Sequence, residues 1–298
     1  MPTSSHQRLR RNRRDAIRTG FCHEESDFVS LISNRRKLAI VMEGDSWFSY
    51  PKKYIVAGRP RNISDWVEDH ISKKRYAYCL CLASVGDTAV QIFNPPGCIK
   101  LNRIIKRHGK KLDVLLLSAG GNDIVGKPLD NFINYYQENF QAYDCINWAT
   151  YREKLKEIKS FYKKLAELSS IYAPKAKLFV QVYDYLKPED RGFKLFSYTI
   201  LGPWVYRYLE EKGYGDDQQS ELRELIVIEL LNAFKKDMLK LQEEFKNFFV
   251  INTHGSLPVG NHEYWADEMH PTTAGFKLLT RKIVSGINAI DPRVPKFD

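Results

Sequence analysis

The sequence predicts an α/β protein built as a three-layer α/β/α sandwich, with a parallel sheet of about five strands between two layers of helices. Three observations predict it. Short apolar runs recur along the 298 residues. Each is followed by a polar or glycine-bearing turn and then by a helical pattern. The runs are unbroken rather than alternating, which is how strands buried on both faces read. Right-handed crossovers then carry every strand C-terminus to one edge, where ligands of open sheets bind.

The elements follow in order. The run from Lys37, KLAIVME, reads as the first strand, and SDWVEDHISKK then has helix character with Ser64 as its expected N-cap. YAYCLCLAS from Tyr76 is the second strand. In CIKLNRIIKRHGK, residues Ile99, Leu101, Ile104 and Ile105 fall near helical spacing, and the helix ends at Gly109. LDVLLLSAGG from Leu112 is the third strand. A long helix from Tyr151 to Tyr172 carries Leu155, Ile158, Tyr162, Leu165 and Leu168 on one stripe. AKLFVQVYDY from Ala176 is the fourth strand. A second long helix begins near Asp217 and carries Leu222, Ile226, Leu230, Phe234, Met238 and Leu241. NFFVINTHG from Asn247 is the fifth strand, and a last helix from about Thr272 carries Phe276, Leu279 and Ile283. Two stretches break the repeat, near 124–149 and 185–215. Both leave the ligand edge. The second is rich in aromatic residues and reads either as a helical insertion packed on the body or as a lid over the site.

Residues 43% hydrophobic and 13% aromatic are enough for a large core. The expected organisation is a flexible basic arm over residues 1–20 and a single domain over 21–298. The formal net charge is +10, and part of the excess lies in QRLRRNRRDAIR, from Gln7 to Arg18. A basic balance favours anionic partners but says little about fold. The arm reads as solvated, with contact to an anionic surface as the minority reading and nucleic acid not expected. No apolar stretch follows the basic start, so no secretory signal is read, and no run has the length of a membrane span. Cys22, Cys79, Cys81, Cys98 and Cys145 are odd in number and irregularly spaced, unlike a disulfide framework or zinc site. Cys79 and Cys81 share one strand face and read as small buried hydrophobes. The expected setting is reducing and cytoplasmic.

Four motifs fall at strand ends or before the last helix. EGDSW places Ser46 after the first strand, ASVGDTA places Gly86 after the second, and SAGGNDIVG places Asn122 after the third. ADEMHPTTAGF places Asp267 and His270 before the last helix. Each taken singly is an ordinary turn or cap. Together they hold a complete chemistry. Serine is a weak nucleophile until a base takes its proton. Asp267, three residues before His270, is spaced to accept from one ring nitrogen and leave the other to act as base. Attack on an acyl carbon puts charge on the carbonyl oxygen, and the backbone N–H groups of Ser46 and Gly86 with the Asn122 amide are candidate donors for it. A metal reading of Asp267 with His270 lacks further clustered ligands. A phosphate loop with its lysine is absent, and Phe48 stands where the α/β-hydrolase elbow needs its second glycine.

The four blocks, in this order, resemble the SGNH (GDSL-type) hydrolase superfamily: Gly44-Asp45-Ser46, Gly86, Gly120-Gly121-Asn122-Asp123, and Asp267-Glu268-Met269-His270-Pro271. The resemblance implies a flavodoxin-like sandwich, Ser46 as nucleophile, His270 as base, Asp267 as its partner, Ser46, Gly86 and Asn122 as the oxyanion hole, and neither metal nor cofactor. It implies hydrolysis of an O-acyl ester through an acyl-enzyme. The substrate reads either as a lipid acyl ester, towards which the aromatic stretch from Phe193 to Tyr208 and the basic balance lean, or as a small acyl ester such as acetate. Trp47 departs from the family pattern, since a leucine follows the serine there, and is a candidate substrate contact. Asp184, just after the fourth strand, is either a second contact or a turn cap. His254 and His262 flank the fifth strand and read as core or surface residues before site residues. The alternative reading is a degenerate hydrolase scaffold that binds an anionic partner through the arginine-rich arm.

Overall fold

A computed structural model describes residues 18–33, 37–49, 60–72, 76–195 and 198–297. The arginine-rich arm falls almost wholly outside the described residues. In chain order the regular elements are β1 (Phe21–Cys22), α1 (Glu25–Ser33), β2 (Leu38–Gly44), α2 (Ile63–Val67), β3 (Ala77–Cys81), α3 (Ala89–Phe93), α4 (Cys98–His108), β4 (Val114–Ser118), α5 (Gly121–Ile124), α6 (Trp148–Tyr172), β5 (Lys177–Gln181), β6 (Phe193–Leu195), β7 (Tyr198–Leu201), α7 (Tyr206–Glu211), α8 (Ser220–Glu244), β8 (Phe248–Ile251) and α9 (Thr273–Ile290).

The main sheet has six strands in the order β1-β3-β2-β4-β5-β8, and every neighbouring pair in it is parallel. The expected strands are all present. The sixth is β1, a two-residue edge strand pairing Phe21 with Cys79 and Cys22 with Leu80. A strand that short carries no period to detect. The chain steps one way from β2 to β3 and the other way from β4 onward, so right-handed crossovers place α2 on one face and α4, α6 and α8 on the other. Helix α9 packs with α2, while α4 and α8 pack on α6. The sense of stepping reverses at β2, which opens a crevice at the C-terminal ends of β2 and β4.

The helical stripes bury as their spacing requires: Leu155, Ile158, Tyr162 and Leu165 of α6, Ile226, Leu230, Phe234, Met238 and Leu241 of α8, and Phe276, Leu279 and Ile283 of α9 lie in the core. Leu168 and Leu222 are only partly buried, and Ile99 is exposed on α4. The cysteines are buried free thiols. Helix α2 is capped by Asn62 rather than by Ser64. The Asn62 side chain accepts from the Asp65 N–H and Asp65 reaches back to the Asn62 N–H, a reciprocal box that a single serine two residues later cannot match. Ser64 instead donates its hydroxyl to Asn62 Oδ1 at 2.9 Å.

The stretch 185–215 has no regular element up to Gly192, then forms a β-hairpin, β6 with β7 antiparallel, and only then the short helix α7. The expectation of a helical insertion holds for its second half alone. The stretch 124–149 holds a short 3-10 helix at Lys127–Asn131 and an antiparallel bridge between Ile133 and Ile146. The two insertions lie together: Tyr214 donates its hydroxyl to Asn134 O at 3.0 Å, and Lys212 pairs with Asp130 at 3.0 Å. Among the described residues, no helix is long and apolar enough to cross a membrane.

Strand β2 is buried along its whole length, Glu43 included. Glu43 Oε1 accepts the Gly44 N–H at 3.0 Å, and burial pushes its carboxyl up from 4.5 to about 8. As pH rises through that window the unfolded chain loses this proton first, so the Glu43 contribution declines from pH 4.5 to about 8. Glu43→Gln keeps an acceptor for the Gly44 N–H and removes the titration. The stability of the native protein relative to Glu43→Gln, read from urea melts, is expected to fall steadily as pH rises from about 5 to about 8; a difference independent of pH contradicts it.

Candidate active site

The turn after β2 is held against β4. The Asp45 N–H donates to Ser118 O at 3.1 Å, and Asp45 O accepts from the N–H groups of Phe48 and Ser49 at 3.1 and 2.9 Å. A side chain on Gly44 would bring its Cβ within 2.4 Å of Ser118 O, so only glycine lets the strands approach this closely. The Asp45 carboxylate is fully enclosed. Its Oδ1 accepts the Trp47 N–H at 3.0 Å and its Oδ2 accepts the Tyr183 hydroxyl from beyond β5. Burial raises this carboxyl to about 6, against the pull of those two donors. Ser46 is thereby fixed at the crevice mouth, only 5% exposed.

The segment between Trp265 and Pro271 folds back on itself. These two residues form an antiparallel bridge, and the Ala266 N–H donates to His270 O at 2.8 Å. Inside the loop, Asp267 Oδ1 accepts the N–H groups of Met269 and His270 at 2.8 and 2.7 Å. Both its oxygens lie 3.0 Å from His270 Nδ1. An Nδ1–H that donates to these oxygens leaves Nε2 to accept from a further partner. That Nε2 stands 3.0 Å from Ser46 Oγ. Residues 224 positions apart therefore share one hydrogen bond, and Ser46, His270 and Asp267 form a continuous chain.

Asn122, in the first turn of α5, donates its side-chain amide to Asp87 O at 3.0 Å. Its neighbour Asp123 accepts the Ala89 N–H at 2.5 Å and the Val90 N–H at 3.5 Å, at the start of α3. The loop after β3 is thus tied to the loop after β4. Gly86 lies in that tied loop, exposed and with φ +78°. A small cavity of about 30 Å³ opens beside Ser46, lined by Trp47, Asn122, Tyr183, Leu231 and Met269 among others. That is room for about two water molecules. Gly86 is not part of its lining.

Trp47 is 3% exposed and packs edge-on against Tyr183, Trp265 and Phe276. It is wall and core at once. Asp184 also lines the cavity, but its oxygens are occupied. Oδ1 accepts the Tyr185 and Gly255 N–H groups at 2.8 and 2.5 Å and Oδ2 accepts the Leu257 N–H at 2.7 Å, so it caps the turn after β8. His254 contacts the Tyr185 hydroxyl through Nδ1 at 2.9 Å, and burial lowers its pKa to about 4. His262 sits outside, 3.4 Å from Glu189. Neither histidine lines the cavity. Among the described residues no cluster of three or more His, Cys, Asp and Glu is placed to hold a metal.

Sequence reasoning missed two residues of the site. Tyr183 braces Asp45 from across the sheet, and its position at a strand end was the only signal. Glu268 stands inside the Asp-to-His spacing itself. It is 2% exposed, and its carboxylate accepts the N–H groups of Trp204, Val205 and Tyr206 at 2.6, 2.9 and 2.6 Å. Burial raises it to about 8 despite those donors.

Neither a protein-family model nor a curated protein matches the chain. Several solved structures are similar to it. The lipase Lip_vut3 from a goat rumen metagenome is 14% identical, covering 84% of this chain and 97% of its own, with TM-score 0.49. An extracellular lipase from Streptomyces rimosus is 13% identical, covering 85% and 99%, with TM-score 0.48. A phospholipase A1 from Streptomyces albidoflavus is 15% identical, covering 83% and 99%, with TM-score 0.44.

Proposed function

We propose that the chain is a serine ester hydrolase of the SGNH (GDSL) type. The observation that carries this reading is the hydrogen-bonded chain from Ser46 Oγ through His270 to Asp267, at the crevice between β2 and β4. His270 Nε2 takes the hydroxyl proton as Ser46 Oγ attacks the acyl carbon, and Asp267 holds the imidazolium that forms. The same proton passes to the departing alcohol oxygen, leaving an acyl-enzyme. Water then gives a proton to His270 and adds to the acyl carbon. Collapse returns that proton to Ser46 and frees the acid.

The carbonyl oxygen acquires negative charge in both steps. Its donors in this reading are the Ser46 and Gly86 N–H groups and the second amide hydrogen of Asn122, the first being held by Asp87 O. Gly86 reaches this role only through its loop, which Asn122 and Asp123 tie down. The substrate in this reading is an O-acyl ester with a small acyl group, since the cavity beside Ser46 is only about 30 Å³. A lipid acyl chain requires that cavity to open.

Ser46→Ala is expected to abolish turnover of p-nitrophenyl acetate and labelling by a fluorophosphonate probe, with the label mapping to Ser46 in the native protein. Unchanged hydrolysis by the purified variant refutes the reading. Asn122→Ala is expected to lower kcat about 100-fold with a smaller change in KM, because the donor acts on charge present only in the transition state. An equal rise in KM at constant kcat would assign Asn122 to ground-state binding instead.

A further inference from the structure

Trp204 is the point where both insertions meet the histidine loop. Its N–H donates to Glu268 Oε2 at 2.6 Å, and its carbonyl accepts the Gly126 N–H at 2.7 Å. Its indole stands edge-on to the His270 ring, with centroids 5.2 Å apart at 82°. Behind it, Gly202 has φ +80° and is so close that a Cβ there would lie 2.7 Å from the indole. The indole therefore lies against both the Gly202 backbone and, edge-on, the His270 ring, and it is only half-buried, which leaves part of it open to solvent.

Glu268 fixes this arrangement. A carboxylate between Asp267 and His270 gathers three consecutive N–H groups of the insertion, from Trp204 to Tyr206. Arg191, from the first leg of the same insertion, completes the grip. Its carbonyl accepts the Glu268 N–H at 2.9 Å, and its Nη2 donates to the carbonyls of Trp265 and Ala266 at 2.9 and 3.1 Å. The His270 loop and the insertion thus form one rigid unit.

The chemistry assigns a side of the substrate to that wall. His270 Nε2 must hand its proton to the departing alcohol, so the alcohol lies beside the imidazole. The small cavity lined by Trp47, Asn122 and Leu231 borders Ser46 and has neither His270 nor Trp204 in its lining, and in this reading it takes the acyl group. We propose that Trp204 is a specificity-determining residue for the alcohol portion of the ester, favouring alcohols that present a flat ring, and that Glu268 is the positioning residue that seats it. The inference rests on the ester-hydrolase reading above.

The test compares wild type, Trp204→Ala, Trp204→Phe and Glu268→Gln on two ester series. One varies the alcohol at constant acetate (benzyl against ethyl acetate), and the other varies the acyl group at constant alcohol (benzyl acetate against benzyl butyrate). Trp204→Ala is expected to lower the benzyl-to-ethyl ratio of kcat/KM about tenfold, chiefly through KM, with the acetate-to-butyrate ratio within about twofold. Trp204→Phe restores most of the preference, because a flat face returns. Glu268→Gln shifts the alcohol ratio in the same direction, since an amide keeps one acceptor oxygen and sets donors against the remaining N–H groups. A general loss of fold lowers all rates and leaves both ratios in place. The inference is overturned if the alcohol ratio does not move in Trp204→Ala, or if both ratios collapse together. Wild type that neither turns over any ester nor takes a fluorophosphonate label at Ser46 overturns the hydrolase reading itself.

Discussion

The contact between the ends of β2 and β4 governs the rest of the site. Gly44 lies so close to Ser118 that a methyl group would collide with its carbonyl, and the next amide donates to that same carbonyl at 3.1 Å. This turns the chain sharply where the sense of strand stepping reverses. It leaves Ser46 at the mouth of the crevice, in the lining of the small cavity. Asp45 then faces inward, where the Tyr183 hydroxyl and the Trp47 N–H take its oxygens. A carboxylate buried without such donors is costly, so these bonds both stabilise the turn and determine its shape.

The loops around this turn are fastened by the same device, a buried carboxylate that accepts backbone N–H groups. Asp123 holds the start of α3, Asp184 holds the turn after β8, Asp267 holds its own loop and Glu268 holds the insertion. Each replaces hydrogen bonds to water with directed bonds to amides, which costs less than leaving the amides unpaired. Four loops are thereby fastened at the sheet edge. These bonds set the loops that bring His270 Nε2 to 3.0 Å from Ser46 Oγ.

Much of this was legible in the chain. Leu38–Met42 and Val114–Leu117 are unbroken apolar runs because strands covered on both faces have no polar side to show. The stripes of α6 and α8 declare their buried faces through helical spacing. Asp267 and His270 are three apart and pair locally, so their contact follows from the spacing alone. Other features have no local signature. The edge strand Phe21–Cys22 is defined by pairing with β3, not by a pattern of its own. The cap of α2 went to Asn62 because two side chains reciprocate there. The hairpin at the start of the aromatic insertion has apolar spacing that serves strand or helix equally well in so short a run.

The sequence by itself determined the layered architecture, the strand ends at which chemistry collects, and the local Asp267–His270 pair. These depend on periodicity and on residues a few positions apart, which the chain encodes directly. Only the tertiary structure decided that Ser46 meets His270 across 224 positions, that Asp184 serves a turn, and that Glu268 grips Trp204 against the imidazole. Those depend on which loops the parallel crossovers bring to one edge. A buried carboxylate takes whichever amides packing delivers to it, and no local pattern announces them.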